Sequence, residues 1–327
     1  RLMNLKNKIT KIYSPVSSEL KLVDERLMDF AYTAPSYAKP VLEYAVGRSG
    51  KRVRPVMTLL SASVFGEISE HPIKMAAATE LLHLATLIHD DTIDNADLRR
   101  GADTISKKWG NHVAVLIGDY IFAKSAVMVC ETGNTAVVKR FAETIMELSS
   151  GELKEYFDIG DVSCDINGYW ERIYNKTASL FATATESGAV LAGASREDAE
   201  KLKIYGNKIG MAFQVMDDVL DITGTSSELG KPSGNDLIQG VMTLPSILFC
   251  SKYSGDDSVK AFIQNPKDTK NILKLSDNVR NSDVISECES IIGKYCEEAI
   301  KQCQSLPKNK ASDALMTLVE YLMERQS

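Results

Sequence analysis

The chain carries one acidic arrangement twice, each time on the last turn of an apolar helical run. In Leu81-Leu-His-Leu-Ala-Thr-Leu-Ile-His-Asp-Asp-Thr-Ile-Asp-Asn-Ala-Asp-Leu-Arg-Arg100 the acids are Asp90, Asp91 and Asp94; in Gly210-Met-Ala-Phe-Gln-Val-Met-Asp-Asp-Val-Leu-Asp-Ile222 they are Asp217, Asp218 and Asp221. With 3.6 residues per turn, this spacing projects three carboxylates from one side of a helix. Like charges at such a spacing cost a helix about 0.2–0.5 kcal/mol per pair. The apolar residues Leu81, Leu82, Leu84, Leu87 and Ile88 also indicate a largely buried helix, where unpaired charge costs far more. Positive charge has to sit there. A single acidic triplet at a helix end is ordinarily a solvated face, whereas two copies on apolar helices point to a shared ligand.

Two acidic helices that serve one ligand leave no independent domain between them, so the expectation is a single domain over residues 1–327. Apolar residues make up 44% of the chain, enough for a large core, and no uncharged apolar run reaches the length that spans a bilayer. The net charge of −6 argues against nucleic acid, whose binders show a basic footprint. The six cysteines lack the spacings of a metal site, and no apolar leader opens the chain, so the reading is reduced thiols in a cytoplasmic protein.

Helical spacing recurs throughout, while strand alternation is absent. Residues 4–32 read as two amphipathic helices broken near Pro15, followed by helices over Met57 to Phe65, Ile73 to Asp94, Val113 to Cys130, Val137 to Phe157, Gly168 to Ala192, Ala199 to Ile222, Met242 to Cys250 and Ala311 to Met323. Residues 251–285 read as peripheral helices and loops. The fold class is all-α. Before the first acidic helix stands Gly50-Lys51-Arg52-Val53-Arg54-Pro55, three cations in four residues. Such a loop is usually a solvated surface, but its position makes it a candidate diphosphate clamp, since arginine grips phosphate through paired donors and lysine as a point charge.

Carboxylates without a His/Cys ligand set specify a hard cation such as magnesium. Magnesium is commonly shared between one or two carboxylates and substrate phosphates, so a diphosphate is the natural third party. The basic residues Lys51, Arg54, Arg99, Arg100, Lys176 and Lys231 exceed what one diphosphate needs, and two diphosphate substrates are the economical reading. Thr86, His83 and Leu82 lie four, seven and eight residues before Asp90, beneath it on an otherwise apolar helix. A substrate with a diphosphate head and a hydrocarbon tail suits that profile.

These motifs resemble the trans-type, head-to-tail polyprenyl diphosphate synthases, most closely the long-chain bacterial ones. The resemblance rests on Gly50 to Pro55, Asp90 to Asp94 with Leu98-Arg99-Arg100-Gly101, Lys176-Thr177, Gly210 to Asp221, and Gly230-Lys231-Pro232 with Asp236, and so covers most of the chain. It implies antiparallel helices around a deep central cavity, usually in a homodimer, and the condensation of isopentenyl diphosphate with an allylic diphosphate (dimethylallyl, geranyl or farnesyl). It implies magnesium, three ions with substrate bound, held by Asp90, Asp91, Asp94, Asp217, Asp218 and Asp221. Arg99, Lys176 and Lys231 would neutralise the allylic diphosphate; Lys51, Arg54, His83 and Arg100 would take isopentenyl diphosphate. Thr177, Gln214 and Phe213 would surround the carbocation. Asp90, Asp91, Lys176, Thr177, Gln214 and Asp217 form the expected catalytic set. No transmembrane segment is implied, only transient membrane contact on product release.

In this family the residue five before the first aspartate gates the shaft that takes the growing tail, and an aromatic there gives a short product. Here it is Ala85, followed by Thr86, so the resemblance implies a long product of about C30–C50. A terpene cyclase would normally carry an Asn/Ser/Glu-type second motif and needs no Lys51–Arg54 pocket. A non-catalytic subunit of a two-component synthase would usually have lost one motif, although an active subunit requiring a small partner fits the sequence. His89 reads as a satisfied core histidine, and Asp97, Asp119 and Glu152 as structural charges.

Overall fold

The computed structural model describes residues 2–48, 50–224 and 234–326. The described residues are helical apart from turns and one short hairpin, in agreement with the all-α expectation. The chain divides into two compact units. The first comprises residues 1–143, 180–204 and 302–318; the second comprises 144–179, 205–301 and 319–327.

The first unit is built around the helix Glu70–Ile93, which packs on Ser17–Tyr32, Val53–Ser63 and Asn111–Cys130. Its inward residues Met75, Ala76, Ala78, Leu81, Leu82 and Ala85 are buried among Leu27, Val56, Met57, Leu59 and Leu60 from the other helices. Glu70 and Pro72 in the first turn suit a helix start, where the dipole favours acid and proline lacks only a donor with no partner. The stop is equally local. Asn95 takes a positive φ of 51°, its N–H donates to the carbonyl of Thr92, and the Ala96 N–H donates to the carbonyl of Asp91 at 2.9 Å. This pair of bonds is a Schellman ending, and it places Asp90, Asp91 and Asp94 on the last turn.

After that stop the chain forms a hairpin of Leu98–Arg99 with Ala102–Asp103, turned by Arg100 and Gly101, both at positive φ. A two-residue turn with positive φ at both positions matches the right-handed twist of the strands. Helical periodicity does not detect an element of four paired residues. The helix Asn111–Cys130 is long and apolar enough to cross a membrane by length and composition, but Asp119 and Lys124 interrupt it, and Ala114, Ile117, Ile121 and Met128 are buried.

In the second unit the expected continuous helix from Gly168 to Ala192 is broken. A helix Ile166–Ile173, capped by the Asp165 carboxylate on the Asn167 N–H, gives way to a π-helical turn Tyr174–Ala178 before helix resumes at Ser179. Such a turn inserts one residue into the ladder and re-aims the side chains on it, here Lys176 and Thr177. Residues 251–285 hold two capped helices, Asp257–Gln264 and Thr269–Arg280, whose N-cap carboxylates Asp256 and Asp268 accept from Ser258 and Lys270. The six cysteines are free, four of them buried.

Within the first unit, Gly188 meets the backbone of Thr58 so closely that a Cβ there would collide with the Thr58 carbonyl oxygen. Gly188→Ala is expected to cost about 1–3 kcal/mol through backbone displacement. Gly293→Ala, in a helix with open space around it, should be neutral or stabilising by up to about 1 kcal/mol. Thermal melts of the two variants would check this; a Gly188→Ala melt at or above wild type would contradict the close approach.

Candidate active site

Each aspartate triplet is divided by its burial. In the first, Asp91 faces inward with its side chain 10% exposed, and one oxygen accepts the Nε–H of Arg99 at 2.7 Å. Burial pushes the Asp91 carboxyl above its ordinary range, and the Arg99 charge and hydrogen bond oppose that. Asp90 is half-buried and Asp94 exposed, so the open side of the last turn carries these two.

In the second, Asp217 is exposed while Asp218 and Asp221 are buried. Asp221 accepts from the Asp236 N–H at 3.1 Å, and its carbonyl accepts the Gly234 N–H at 2.8 Å, which ties it to the start of the short helix Asn235–Ile238. Asp218 accepts from the Tyr169 hydroxyl at 2.6 Å on one oxygen and from Gln214 Nε2 at 2.9 Å on the other. Burial pushes the Asp218 carboxyl up to about 8, with repulsion from Asp236 and Asp217 adding to it and the two hydrogen bonds pulling the other way. Burial likewise drives the Tyr169 hydroxyl well above its ordinary value, so it remains a proton donor.

The first unit also gathers most of the expected basic residues. The guanidinium of Arg100, on the hairpin turn, lies against Gly50, where any side chain would displace it. The Arg54 guanidinium stands 4.4 Å from the Phe181 ring centroid. His83 shares this neighbourhood: burial, then the charges of Arg54, Arg100 and Arg99, hold its pKa well below the ordinary value. It is a neutral imidazole at pH 7, a hydrogen-bonding group rather than a cation. Lys51 is exposed, with its carbonyl accepting from the Tyr13 hydroxyl. Arg52 parts from its neighbours. In a left-handed conformation at φ 55°, it bonds Asp24 at 2.9 Å and Glu80 at 2.8 Å, and so holds the loop down as an internal ion pair.

On the π turn of the second unit, Lys176 reaches Glu155 at 2.7 Å and Glu152 at 3.1 Å, and the Thr177 hydroxyl donates to Gln214 Oε1 at 2.7 Å. Phe213 is half-buried beside Gln214. Lys231, with Gly230 and Pro232, lies outside the described residues. Ala85 is buried, and Thr86 bonds the His83 carbonyl at 2.7 Å. His89 has a structural setting: Nε2 stands 3.1 Å from the Val115 carbonyl, against Gly118.

Sequence reasoning missed Tyr169 and the glutamate pair that receives Lys176. Glu152 and Glu155 lie three apart on one face of Thr135–Asp158, but nothing in the chain ties them to a lysine more than twenty residues on. Tyr169 stands among apolar residues and reads as core.

In the first unit Asp90 and Asp94, and in the second Asp217, are the exposed or half-buried carboxylates of the motifs, and oxygen donors of this kind suit a hard divalent cation. Among the described residues no three His, Cys, Asp or Glu side chains form a ready-made cage.

Comparison with known proteins bears on the same reading. The polyprenyl synthetase family model matches residues 35–280. The chain is 37% identical over 322 residues to heptaprenyl diphosphate synthase component 2 of Geobacillus stearothermophilus, covering 97% of this chain and 99% of that protein. Its structure is similar to the heptaprenyl diphosphate synthase of Staphylococcus aureus, with a TM-score of 0.90 at 35% identity over 95% of this chain and 99% of that one. It also resembles a polyprenyl synthase of Caulobacter crescentus CB15, solved in complex with calcium and isoprenyl diphosphate, with a TM-score of 0.88 at 30% identity over 98% of each chain. A match over most of the chain in sequence and in fold, across a span that contains the two aspartate motifs and the basic loop, establishes that the chain belongs to the polyprenyl synthetase family and is a prenyltransferase that makes trans-polyprenyl diphosphates.

Proposed function

We propose that this enzyme extends an allylic diphosphate with isopentenyl diphosphate to a long-chain product, with magnesium held by its two aspartate motifs as cofactor. The observation that carries the reading is the division of each triplet by burial: one aspartate is turned inward and bonded by protein groups (Asp91 by Arg99, Asp218 by Tyr169 and Gln214), while Asp90 is half-buried and Asp94 and Asp217 are exposed, where a ligand can reach them. Asp90, Asp91, Asp94, Asp217, Asp218 and Asp221 are the carboxylates on offer, the three accessible ones being the direct ligands best supported. Bound magnesium supplies charge neutralisation for the departing diphosphate, in the number of ions that the family resemblance implies.

The chain's own residues do the rest. Arg99, Lys176 and Lys231 draw negative charge from the allylic diphosphate as its C–O bond breaks, which is stabilisation of charge that develops only in the transition state. Lys51, Arg54 and Arg100, with the neutral His83 as hydrogen-bonding partner, hold isopentenyl diphosphate. The cation is attacked by the isopentenyl double bond, and the proton lost from the adduct passes to the released diphosphate. Thr177 and Gln214 offer uncharged dipoles to that cation, and Phe213 a ring face. Ala85 and Thr86 leave the tail path open beyond the first turn, which supports a product of about C30–C50. The heptaprenyl names of the relatives point the same way.

A homodimer is supported by the helix Asn111–Cys130, whose residues Val115, Leu116, Tyr120 and Val127 are exposed, Leu116 at 68%. Exposed apolar residues recurring on one helix are the usual mark of an interface. The single domain and the cytoplasmic location read from the sequence belong to this proposal too, the location supported by free cysteines. A relative named as one component of a synthase keeps a second reading open, in which an additional subunit is required.

Asp90→Ala and Asp217→Ala should each lower turnover by roughly 10²-fold or more with the circular dichroism unchanged; full activity in either would remove that residue from the metal site. Ala85→Phe should shorten the product when purified enzyme, magnesium, farnesyl diphosphate and labelled isopentenyl diphosphate are incubated and the dephosphorylated products sized. An unaltered ladder would place the tail elsewhere. Sedimentation of the purified chain should give an active dimer that Leu116→Glu dissociates. A monomer inactive until a second subunit is added would replace the homodimer with the two-component reading.

A further inference from the structure

Four side chains of the second unit form a continuous hydrogen-bonded chain. Thr177 Oγ1 donates to Gln214 Oε1 at 2.7 Å, Gln214 Nε2 donates to Asp218 Oδ1 at 2.9 Å, and Tyr169 OH donates to Asp218 Oδ2 at 2.6 Å. Asp218 is 3% exposed and Tyr169 1%, so bulk water does not compete for the bond between them. The chain has a direction. A carboxylate oxygen accepts, so the amide of Gln214 must turn its NH₂ end toward Asp218 and its oxygen toward Thr177. The Thr177 hydroxyl then spends its only proton on Gln214 and presents its remaining lone pair away from the network.

Tyr169 keeps that direction fixed. Its hydroxyl holds Oδ2, which leaves Oδ1 facing the Gln214 amide. Without Tyr169 the carboxyl loses one of the two groups that fix its rotation, and the Gln214 amide loses its fixed partner. A flipped amide would turn its NH₂ toward Thr177, whose hydroxyl would rotate to accept and point its positive end outward.

We propose that Tyr169 and Asp218 are positioning residues for prenyl transfer, which act through Gln214 to hold the negative end of the Thr177 hydroxyl dipole toward the carbocation. This rests on the reading above that Thr177 and Gln214 border that cation. It gives Asp218 a role distinct from that of Asp217: both of its oxygens are engaged from within the helices, and it reaches the reaction through Gln214. A dipole fixed before the charge develops stabilises the transition state without reorganisation, whereas a reversed one opposes it.

The test uses the full-length enzyme with magnesium, both diphosphates and three variants: Tyr169→Phe, Asp218→Asn and Thr177→Val. Tyr169→Phe is expected to lower kcat roughly tenfold or more, while KM for each diphosphate and the magnesium concentration for half-maximal rate stay within about twofold of wild type. Asp218→Asn, which keeps the size but can present an NH₂ group to Gln214, is expected to give the same split between kcat and KM. In the Thr177→Val background, Tyr169→Phe should cause no further loss, since residues that act as a unit are not additive. A normal kcat in Tyr169→Phe, an undiminished effect in the Thr177→Val background, or an Asp218→Asn enzyme that needs as much extra magnesium as Asp217→Asn would overturn the proposal. Wild-type kcat in Thr177→Val would instead overturn the placement of Thr177 beside the cation, so the two failures are distinguishable. If Tyr169→Phe does not fold, Asp218→Asn carries the same comparison.

Discussion

An aspartate buried in an apolar helix has to be satisfied from within the protein, and the architecture around both motifs follows from that requirement. The one-and-four spacing puts three carboxylates on a single turn, and packing of the helix decides which of them faces inward. At the first motif the inward acid is answered by a cation, Arg99, brought back by a Schellman stop and a two-residue hairpin turn. At the second it is answered by neutral donors, Tyr169 and Gln214, and Asp221 is used to cap the next helix. The same sequence pattern is therefore solved electrostatically in one case and by hydrogen bonding in the other. The difference leaves the inward acid of the first motif paired with a cation and that of the second as a carboxyl that burial drives up to about 8.

The basic residues are sorted by an equivalent rule. Arg52 is drawn into an internal pair with Asp24 and Glu80, with its own side chain 14% exposed, and is removed from any ligand role. Arg54 is set instead against an aromatic face and Arg100 against a glycine, and burial, with the charges of Arg54, Arg100 and Arg99 added to it, keeps His83 uncharged. Lys176 is held by Glu152 and Glu155. A diphosphate arriving at Lys176, as proposed, would exchange part of that pairing for its own, so the affinity gained would be a difference between two ionic environments rather than the strength of one contact.

Much of this was legible in the sequence, because helix periodicity and motif spacing are local properties. The helices Glu70–Ile93, Asn111–Cys130 and Arg196–Thr223 fall within a few residues of their expected limits, and the aspartates sit on the last turns as the spacing requires. The π turn at Tyr174–Ala178 was not legible, since its side-chain pattern continues the helical period and only the hydrogen-bond ladder reveals the added residue. Nor was the hairpin, whose cue is the short Arg100-Gly101 turn between two strands of two residues each. The glutamates that meet Lys176 and the tyrosine that meets Asp218 depend on which helices pack together, and a tyrosine in an apolar stripe gives no sign of its partner. Lys231 was readable as part of a motif and lies outside the described residues.

Neutral partners at the second motif have a chemical logic that the first motif does not share. A carbocation is captured by any nucleophile it touches, so a naked carboxylate beside it would stabilise it and then bond to it. With Gln214 and Thr177 beside the cation, as proposed, placing Asp218 behind Gln214 would separate the two effects. The negative field is passed on through an amide dipole and a hydroxyl, each a far weaker nucleophile than the acid, and a chain of aligned hydrogen bonds in a poorly solvated interior is polarised more than its members would be alone. A buried acid, a tyrosine that fixes which oxygen accepts, and a glutamine that transmits the direction thus form an arrangement that stabilises positive charge while presenting little that can react with it. The leaving diphosphate develops negative charge, which needs no such screen, and in the proposed function Arg99 beside Asp91 would meet it directly.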